Sequence, residues 1–169
     1  MSEEGLETPE RPPLKWGYAL FLSAVIIVLD QVTKYWVQQH FQLYEFLPIT
    51  SFFNLTLAYN TGAAFSFLAD AGGWQRWFLA VVAAGMSVFL IVWLRQLRQG
   101  QTWQAVALAL VLGGAIGNLW DRLAYGYVID FLDFYWGSYH WPAFNVADSA
   151  ITVGAIMLMI DLLFLQNSE

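Results

Sequence analysis

The 169-residue chain contains no cysteine, and only 12% of its residues are charged. The absence of cysteine excludes disulfide bonds, thiol catalysis, and zinc or iron–sulfur sites with cysteine ligands. The charged fraction is about half of the roughly 25% found in soluble domains, and 59% of the residues are hydrophobic. A water-soluble globule could not cover so many apolar side chains. With 7 Lys and Arg against 13 Asp and Glu, the chain lacks a basic surface, and we expect no nucleic acid partner.

Long uncharged segments predict membrane-spanning helices. Residues 77–94 and 99–120 contain no charged side chain, and each is close to the ~20 residues that cross ~30 Å of hydrocarbon as a helix. Two further apolar segments carry a few charges near their ends. We therefore predict an all-α integral membrane protein, a single domain over residues 1–169, with a bundle of four spans at about residues 16–37, 75–94, 103–120 and 147–165.

The orientation follows from Lys and Arg near the ends of the spans, which favour the cytoplasmic side. By this criterion we predict a cytoplasmic N-terminus and C-terminus, with outer connections over residues 38–74 and 121–146. Residues 1–14 are acidic and lack the basic region of a signal peptide, so we predict a disordered cytoplasmic tail there. Four basic residues lie on the predicted inner side and three on the outer side, namely Arg11, Lys15, Arg95 and Arg98 against Lys34, Arg76 and Arg122.

The polar residues of the predicted spans and connections gather on the outer side of the membrane. Only Asp161 lies toward the inner side. Ionisable residues inside a membrane are costly and are candidates for function. The outer group consists of Asp30, Lys34, Asn118, Asp121, Arg122, Asp130, Asn145 and Asp148.

The two outer connections differ in pattern. In the first, Phe53, Leu55, Leu57 and Tyr59 alternate with other residues at a period of two, which predicts a strand. The second, residues 121–146, is rich in aromatic residues and too apolar for a solvated loop. We expect it to lie among the lipid headgroups as a short helix.

Two motifs in the spans have structural interpretations. Asp30 and Lys34 are one helical turn apart and can form an ion pair that neutralises both charges in the membrane. The alternative is a role in proton handling. Gly113 and Gly117 have the small-xxx-small spacing that predicts close helix packing, and Gly114 lies within this motif.

A third motif, Asn118, Asp121 and Arg122, places three polar residues on one helix face. It is either a polar helix end at the interface, with Arg122 reaching the headgroups, or a network that positions a catalytic group.

Asp148 opens the fourth span, where an acid can cap the helix. With a second carboxyl nearby it could instead catalyse hydrolysis, because two close carboxyls share a proton and can act as base and acid on one water. The partner could be Asp121, Asp130 or Asp133, and the polar pattern slightly favours Asp121. His40 and His140 are isolated, so we expect no metal site and no cofactor.

Five segments, in this order and combination, make the sequence resemble the lipoprotein signal peptidases of bacteria, also called signal peptidase II. The resemblance implies an aspartic endopeptidase of the inner membrane that cleaves prolipoproteins just before a diacylglyceryl-modified cysteine. The segments are DQVTK (30–34), NTGAA (60–64), GGAIGNLWDR (113–122), VIDF (128–131) and FNVADSA (144–150).

The resemblance also implies residue roles. The catalytic dyad would be Asp130 and Asp148, which replaces the preference for Asp121. Supporting or substrate-binding residues would be Asn60, Asn118, Arg122 and Asn145, and structural motif residues would be Asp30, Lys34, Asp121 and Gly114.

The implied fold is a four-helix bundle with a small extracytoplasmic β-cradle and a short periplasmic helix over the site, near the outer leaflet. Outer aromatics such as Trp136 and Trp141 would close over it. The implied partners are the lipidated prolipoprotein and membrane lipid, with a cyclic peptide inhibitor of the globomycin type expected to bind the dyad and a monomer as the expected state.

Two other functions use the same acids. A small transporter or channel would need ionisable residues through the full membrane depth, and the inner half offers only Asp161. A non-catalytic assembly factor would show no cleavage in a purified assay.

Overall fold

The computed structural model describes residues 12, 14, 16–62 and 72–165. Within these residues four helices are long and apolar enough to cross a membrane, which confirms the predicted four-helix membrane fold. The fourth helix continues as a π-helical turn over Asp161–Leu165. The helices are α1 (Gly17–His40), α2 (Trp74–Gln96), α3 (Thr102–Ala124) and α4 (Val146–Ile160).

Helix α3 is the centre of the bundle. In its most apolar segment 61% of the residues are buried within the protein, against 22% in each of the other three helices. Small residues allow this close packing, as the glycine spacing predicts. A Cβ atom on Gly114 would collide with the carbonyl of Ala147 in α4, and one on Gly113 would lie 2.9 Å from the carbonyl oxygen of Ser23 in α1.

An antiparallel sheet of four strands covers the end of the bundle where α1 and α3 finish and α4 begins. We call this the sheet end. The strand predicted from the alternating residues is present as β2. In the described residues the strands lie in the order β1 (Phe46–Pro48), β2 (Phe53–Asn60), β3 (Val128–Trp136) and β4 (Tyr139–His140).

The short helix expected within residues 121–146 is wrong. Helix α3 runs on to Ala124, and the chain then turns into β3 and β4. The segment Val128–Trp136 is rich in β-branched and aromatic residues, and pairing with β2 satisfies its backbone. No helix occurs in residues 41–62 or 125–145, and residues 63–71 lie outside the described part of the chain.

The pairing of β2 with β3 joins the connection between α1 and α2 to the connection between α3 and α4. Asn60 lies opposite Val128 and Ala58 opposite Asp130, with a shift in register between Leu55 and Ala58. Beneath the sheet, a small apolar core contains Val37, Leu57, Ile129 and Phe131. Both connections are therefore needed to build the sheet end.

The predicted tail, residues 1–14, lies outside the described residues except for Pro12 and Leu14. The backbone N–H of Leu14 donates to the carbonyl of Leu97 at 3.0 Å, and that of Gln99 donates to the carbonyl of Pro12 at 2.9 Å. These bonds attach the start of the chain to the connection between α2 and α3, at the opposite end of the bundle from the sheet.

Candidate active site

Two carboxyls meet at the sheet end through one asparagine. Asp130 lies in β3 and Asp148 in the first turn of α4. The side-chain amide of Asn145 donates to Oδ1 of Asp130 at 2.7 Å, and its backbone N–H donates to Oδ2 of Asp148 at 3.3 Å. Asn145 is fully buried. The two side chains that the resemblance assigns to a catalytic dyad are therefore held by the same residue.

Asn145 is also the N-cap of α4. Its Oδ1 accepts the backbone N–H of Asp148 at 2.9 Å, which completes a capping box with the bond from Asn145 to Oδ2 of Asp148. The partial positive charge at the helix N-terminus favours a negative charge on Asp148. The expected capping role of Asp148 is thus present, and the cap is what brings this carboxyl toward Asp130.

Asp130 is 2% exposed. Its Oδ2 accepts the side-chain amide of Asn60 at 3.1 Å. Burial, and then the neighbouring charge of Asp148, raise the pKa of Asp130 to about 8, even though the bonds from Asn60 and Asn145 favour its ionised form. The raised pKa favours the protonated form of Asp130 at neutral pH.

Asn118 in α3 connects the dyad to a buried lysine. Its amide nitrogen donates to Oδ1 of Asp148 at 2.7 Å. Its amide oxygen accepts from Nζ of Lys34 at 3.0 Å and from the side chain of Asn145 at 3.2 Å. An ammonium group only donates, so Lys34 fixes the orientation of the Asn118 amide and makes the nitrogen face Asp148.

Lys34 is the centre of a buried ion cluster. Its Nζ lies 2.7 Å from Oδ2 of Asp30 and 2.8 Å from Oδ2 of Asp121, and all three side chains are at most 1% exposed. Asp30 also accepts the backbone N–H of Ala147 at 2.9 Å, and Asp121 accepts that of Ile129 at 3.1 Å. The cluster therefore fixes the chain immediately before Asp148 and before Asp130.

The contacts do not support the pattern's slight preference for Asp121 as the partner of Asp148, because Asp121 is bound to Lys34. Asp133 is also engaged elsewhere. It accepts the side chain of Asn54 at 2.7 Å and contacts Nδ1 of His140 at 2.8 Å. Of the three acids left open by spacing, Asp130 alone shares a donor with Asp148 in the described hydrogen bonds.

Arg122 borders the site from α3. Its guanidinium donates to the carbonyl of Asn118 at 3.3 Å and to that of Gly62 at 3.1 Å. It reaches protein carbonyls and does not simply extend toward headgroups. The interpretation of the Asn118–Arg122 motif as part of a polar network is therefore the one that the hydrogen bonds support.

A cavity of about 500 Å³ opens beside Asp148. Most of its lining is apolar and comes from α4 and from the segment that precedes it. Trp141 lines it as expected, but Trp136 is 89% exposed and lies outside it. The lining residues are Asn60, Asn118, Arg122, Val128, Trp141, Pro142, Ala143, Phe144, Asp148, Ser149, Ile151, Thr152 and Val153.

One member of the polar network was missed in the sequence. Gln31 donates to Oδ1 of Asp121 at 2.9 Å and to the carbonyl of Gly117 at 3.3 Å. The available signal was its position between Asp30 and Lys34, one turn of α1 that faces α3. In the described residues, no group of three or more His, Asp or Glu side chains is arranged to hold a metal ion, and the absence of a cofactor stays a prediction.

Comparison with known proteins identifies the family. The profile described as signal peptidase (SPase) II matches residues 22–164. The chain belongs to the signal peptidase II family. It is therefore a peptidase, and the described part of the chain contains four helices able to span a membrane.

Relatives in the signal peptidase II family are similar over most of the chain. The lipoprotein signal peptidase of Pseudomonas putida is 55% identical over 152 residues, which cover 89% of each chain. That of Pseudomonas syringae pv. tomato is 56% identical over 145 residues, covering 85% of this chain and 84% of the relative. A solved bacterial membrane enzyme, at 2.3 Å resolution, has a TM-score of 0.81 and 29% identity, covering 91% of this chain and 92% of the other.

Proposed function

We propose that the protein is an aspartic endopeptidase that removes signal peptides from prolipoproteins, cutting just before a cysteine that carries diacylglycerol. The substrate class rests on the relatives, which are named lipoprotein signal peptidases. One observation carries the catalytic assignment. Asn145 donates to both Asp130 and Asp148, beside a largely apolar cavity in a bundle of membrane-spanning helices.

The first step is attack by water. The pair holds one proton, which we place on Asp130 because its pKa is raised to about 8. Asp148 accepts a proton from a water molecule held between the carboxyls, and the water oxygen bonds to the carbonyl carbon of the scissile peptide. Asp130 gives its proton to the carbonyl oxygen, so a neutral tetrahedral diol forms.

The second step breaks the peptide. The proton now on Asp148 passes to the amide nitrogen, which leaves as the amine of the lipid-modified cysteine. One hydroxyl of the diol returns its proton to Asp130 as the carboxylic acid forms. The dyad ends in its starting state, with no metal or cofactor in the proposed reaction.

The surroundings suit a substrate that enters from lipid. Arg122 and the amides of Asn60, Asn118 and Asn145 would orient the dyad and the peptide backbone, and the apolar cavity would take side chains next to the cleaved bond. The diacylglyceryl chains would stay in the bilayer. In this proposal the sheet end faces the periplasm, the termini are cytoplasmic, the membrane is the bacterial inner membrane, and the enzyme acts as a monomer. A globomycin-type cyclic peptide would occupy the same site.

Replacing each acid by its amide tests the proposal. We expect Asp130→Asn and Asp148→Asn each to lower kcat at least about a thousandfold, because each removes one proton-transfer group. The measurement is cleavage of a diacylglyceryl-modified prolipoprotein by purified protein in detergent. Asp161→Asn is the matched control, a buried acid at the other end of α4, and should cleave normally. Substantial turnover by either dyad variant, with the control active, would refute the assignment.

A further inference from the structure

Arg76 makes an unusual connection between two helices. It lies in the first turn of α2, where a positive charge is disfavoured by the helix dipole. Its guanidinium instead reaches the end of α3. Nε donates to the carbonyl of Arg122 at 2.7 Å and Nη2 to that of Leu123 at 2.8 Å. These are among the last carbonyls of α3, which have no partner within the helix.

The same guanidinium packs against the turn that follows α3. Tyr125 and Gly126 donate backbone N–H groups to the carbonyl of Asp121, and Gly126 has a φ of 89°. A Cβ atom on Gly126 would lie 3.2 Å from Nη1 of Arg76. The guanidinium also lies over the ring of Trp77, 4.8 Å from its centroid. The Arg76 guanidinium therefore contacts both Trp77 and the turn that leads into β3 and Asp130.

Arg122 is held at its backbone and at its side chain. Arg76 binds its carbonyl, while its own guanidinium donates to the carbonyls of Asn118 and Gly62. We propose that Arg76 is a positioning residue for the reaction, which fixes the carbonyl end of α3 and so sets both the Arg122 guanidinium and the turn that leads into β3 and Asp130. Arg76 contacts neither carboxyl. This inference rests on the proposed function and assigns to α2 a role in the geometry of the site.

Helix α2 supplies a matched control for the test. Arg95 lies in its last turn, at the opposite end of the bundle, and its guanidinium lies 5.2 Å from the ring centroid of Trp16. Arg76 and Arg95 thus share residue type, helix and stacking on a tryptophan. The experiment compares Arg76→Gln and Arg76→Lys with Arg95→Gln and Arg95→Lys, measuring kcat and KM with a lipidated prolipoprotein and correcting for the folded fraction.

We expect Arg76→Gln to lower kcat about tenfold, equivalent to a loss near 1.4 kcal/mol in the transition state, with KM nearly unchanged. Arg76→Lys should recover part of kcat, because one ammonium can bind one of the two carbonyls. Both Arg95 variants should keep the wild-type kcat. Wild-type kcat in Arg76→Gln, or an equal loss in Arg95→Gln, would overturn the inference.

If Arg76→Gln does not fold, the comparison of Arg76→Lys with Arg95→Lys tests the inference. A lower kcat in Arg76→Lys than in Arg95→Lys supports the role, and equal values overturn it. Failure of the proposed function has a different signature, which is turnover by Asp130→Asn. An inactive Asp130→Asn together with a fully active Arg76→Gln rejects only the inference on Arg76.

Discussion

Helix α4 has a carboxyl at each end of its span, and the surroundings of the two carboxyls differ. Asp148 borders a cavity, accepts from Asn118, and shares the donor Asn145 with a second acid. Asp161 is 7% exposed at the opposite end, where its Oδ2 accepts the side chain of Gln104 at 2.6 Å. Asp148 is half-buried and Asp161 is buried, and both accept a side-chain amide. Amide bonding is therefore common to the two ends, and the second carboxyl and the cavity distinguish the sheet end.

The largest difference in kcat between the two ends of α4 should follow from removing the side-chain amide donor at each end. Asn145→Ala should lower kcat about a hundredfold, the usual cost of losing one preorganised donor from an active site, while Gln104→Ala should leave kcat unchanged. Both changes remove a buried hydrogen bond, so both should reduce thermal stability. Steady-state cleavage and thermal unfolding of the same preparations would separate the two effects.

Equal losses of kcat in these two variants would contradict the comparison. They would mean that activity follows general stability of α4 and does not depend on the shared donor.

A smaller difference in kcat should follow from adding a methyl group at each of two glycines where α3 packs against α4. On Gly114 it would strike the carbonyl of Ala147, next to Asp148, and on Gly154 it would lie 2.6 Å from the carbonyl of Ala107. Each Ala variant should lose about 1–3 kcal/mol of stability. Gly114→Ala alone should also lower kcat of the folded protein, because it displaces the start of α4.

Thermal unfolding and cleavage kinetics of Gly114→Ala and Gly154→Ala check this. If Gly154→Ala loses as much kcat as Gly114→Ala, the site depends on the whole helix contact and not on the sheet end.

A further difference between the two acids should appear in the pH dependence of stability. The pKa of Asp130 is raised from 3.8 to about 8 in the folded protein. Between these values the folded state holds a proton that the unfolded state has released, so this contribution to stability is full below pH ~4, declines as pH rises, and is gone above ~8. Asp130→Asn should reduce the pH dependence of the melting temperature over this range.

Cleavage by the wild-type protein should fall as pH rises through about 8, when Asp130 loses the proton it donates. A melting temperature that keeps its full pH dependence in Asp130→Asn would show that another group is responsible.

The sequence was sufficient to predict the four long helices and one strand. Uncharged runs and the period of two in β2 are local patterns, and each formed the element expected. The error over residues 121–146 has a non-local cause. Val128–Trp136 is apolar and aromatic, a composition that suits an interfacial helix as well as a strand. The segment forms a strand because it pairs with β2.

The same distinction holds for the site. The polar residues could be assigned to one end of the bundle because helix length and direction determine their depth. The choice among Asp121, Asp130 and Asp133 could not be made from spacing, since it depends on which acid Lys34 neutralises. The motif resemblance, which carries tertiary information, supplied the pair that Asn145 joins. The contact of Arg76 with α3 had no sequence signal beyond one basic residue at a helix start.

The bond from Asn60 to Asp130 connects residues separated by 70 positions, one from each of the two connections that form the sheet. Neither connection alone can complete the sheet, and the cap of α4 comes after both. A nascent chain that ends before α4 thus lacks Asp148. In the proposed mechanism the pair of carboxyls is therefore completed only by the last helix of the chain.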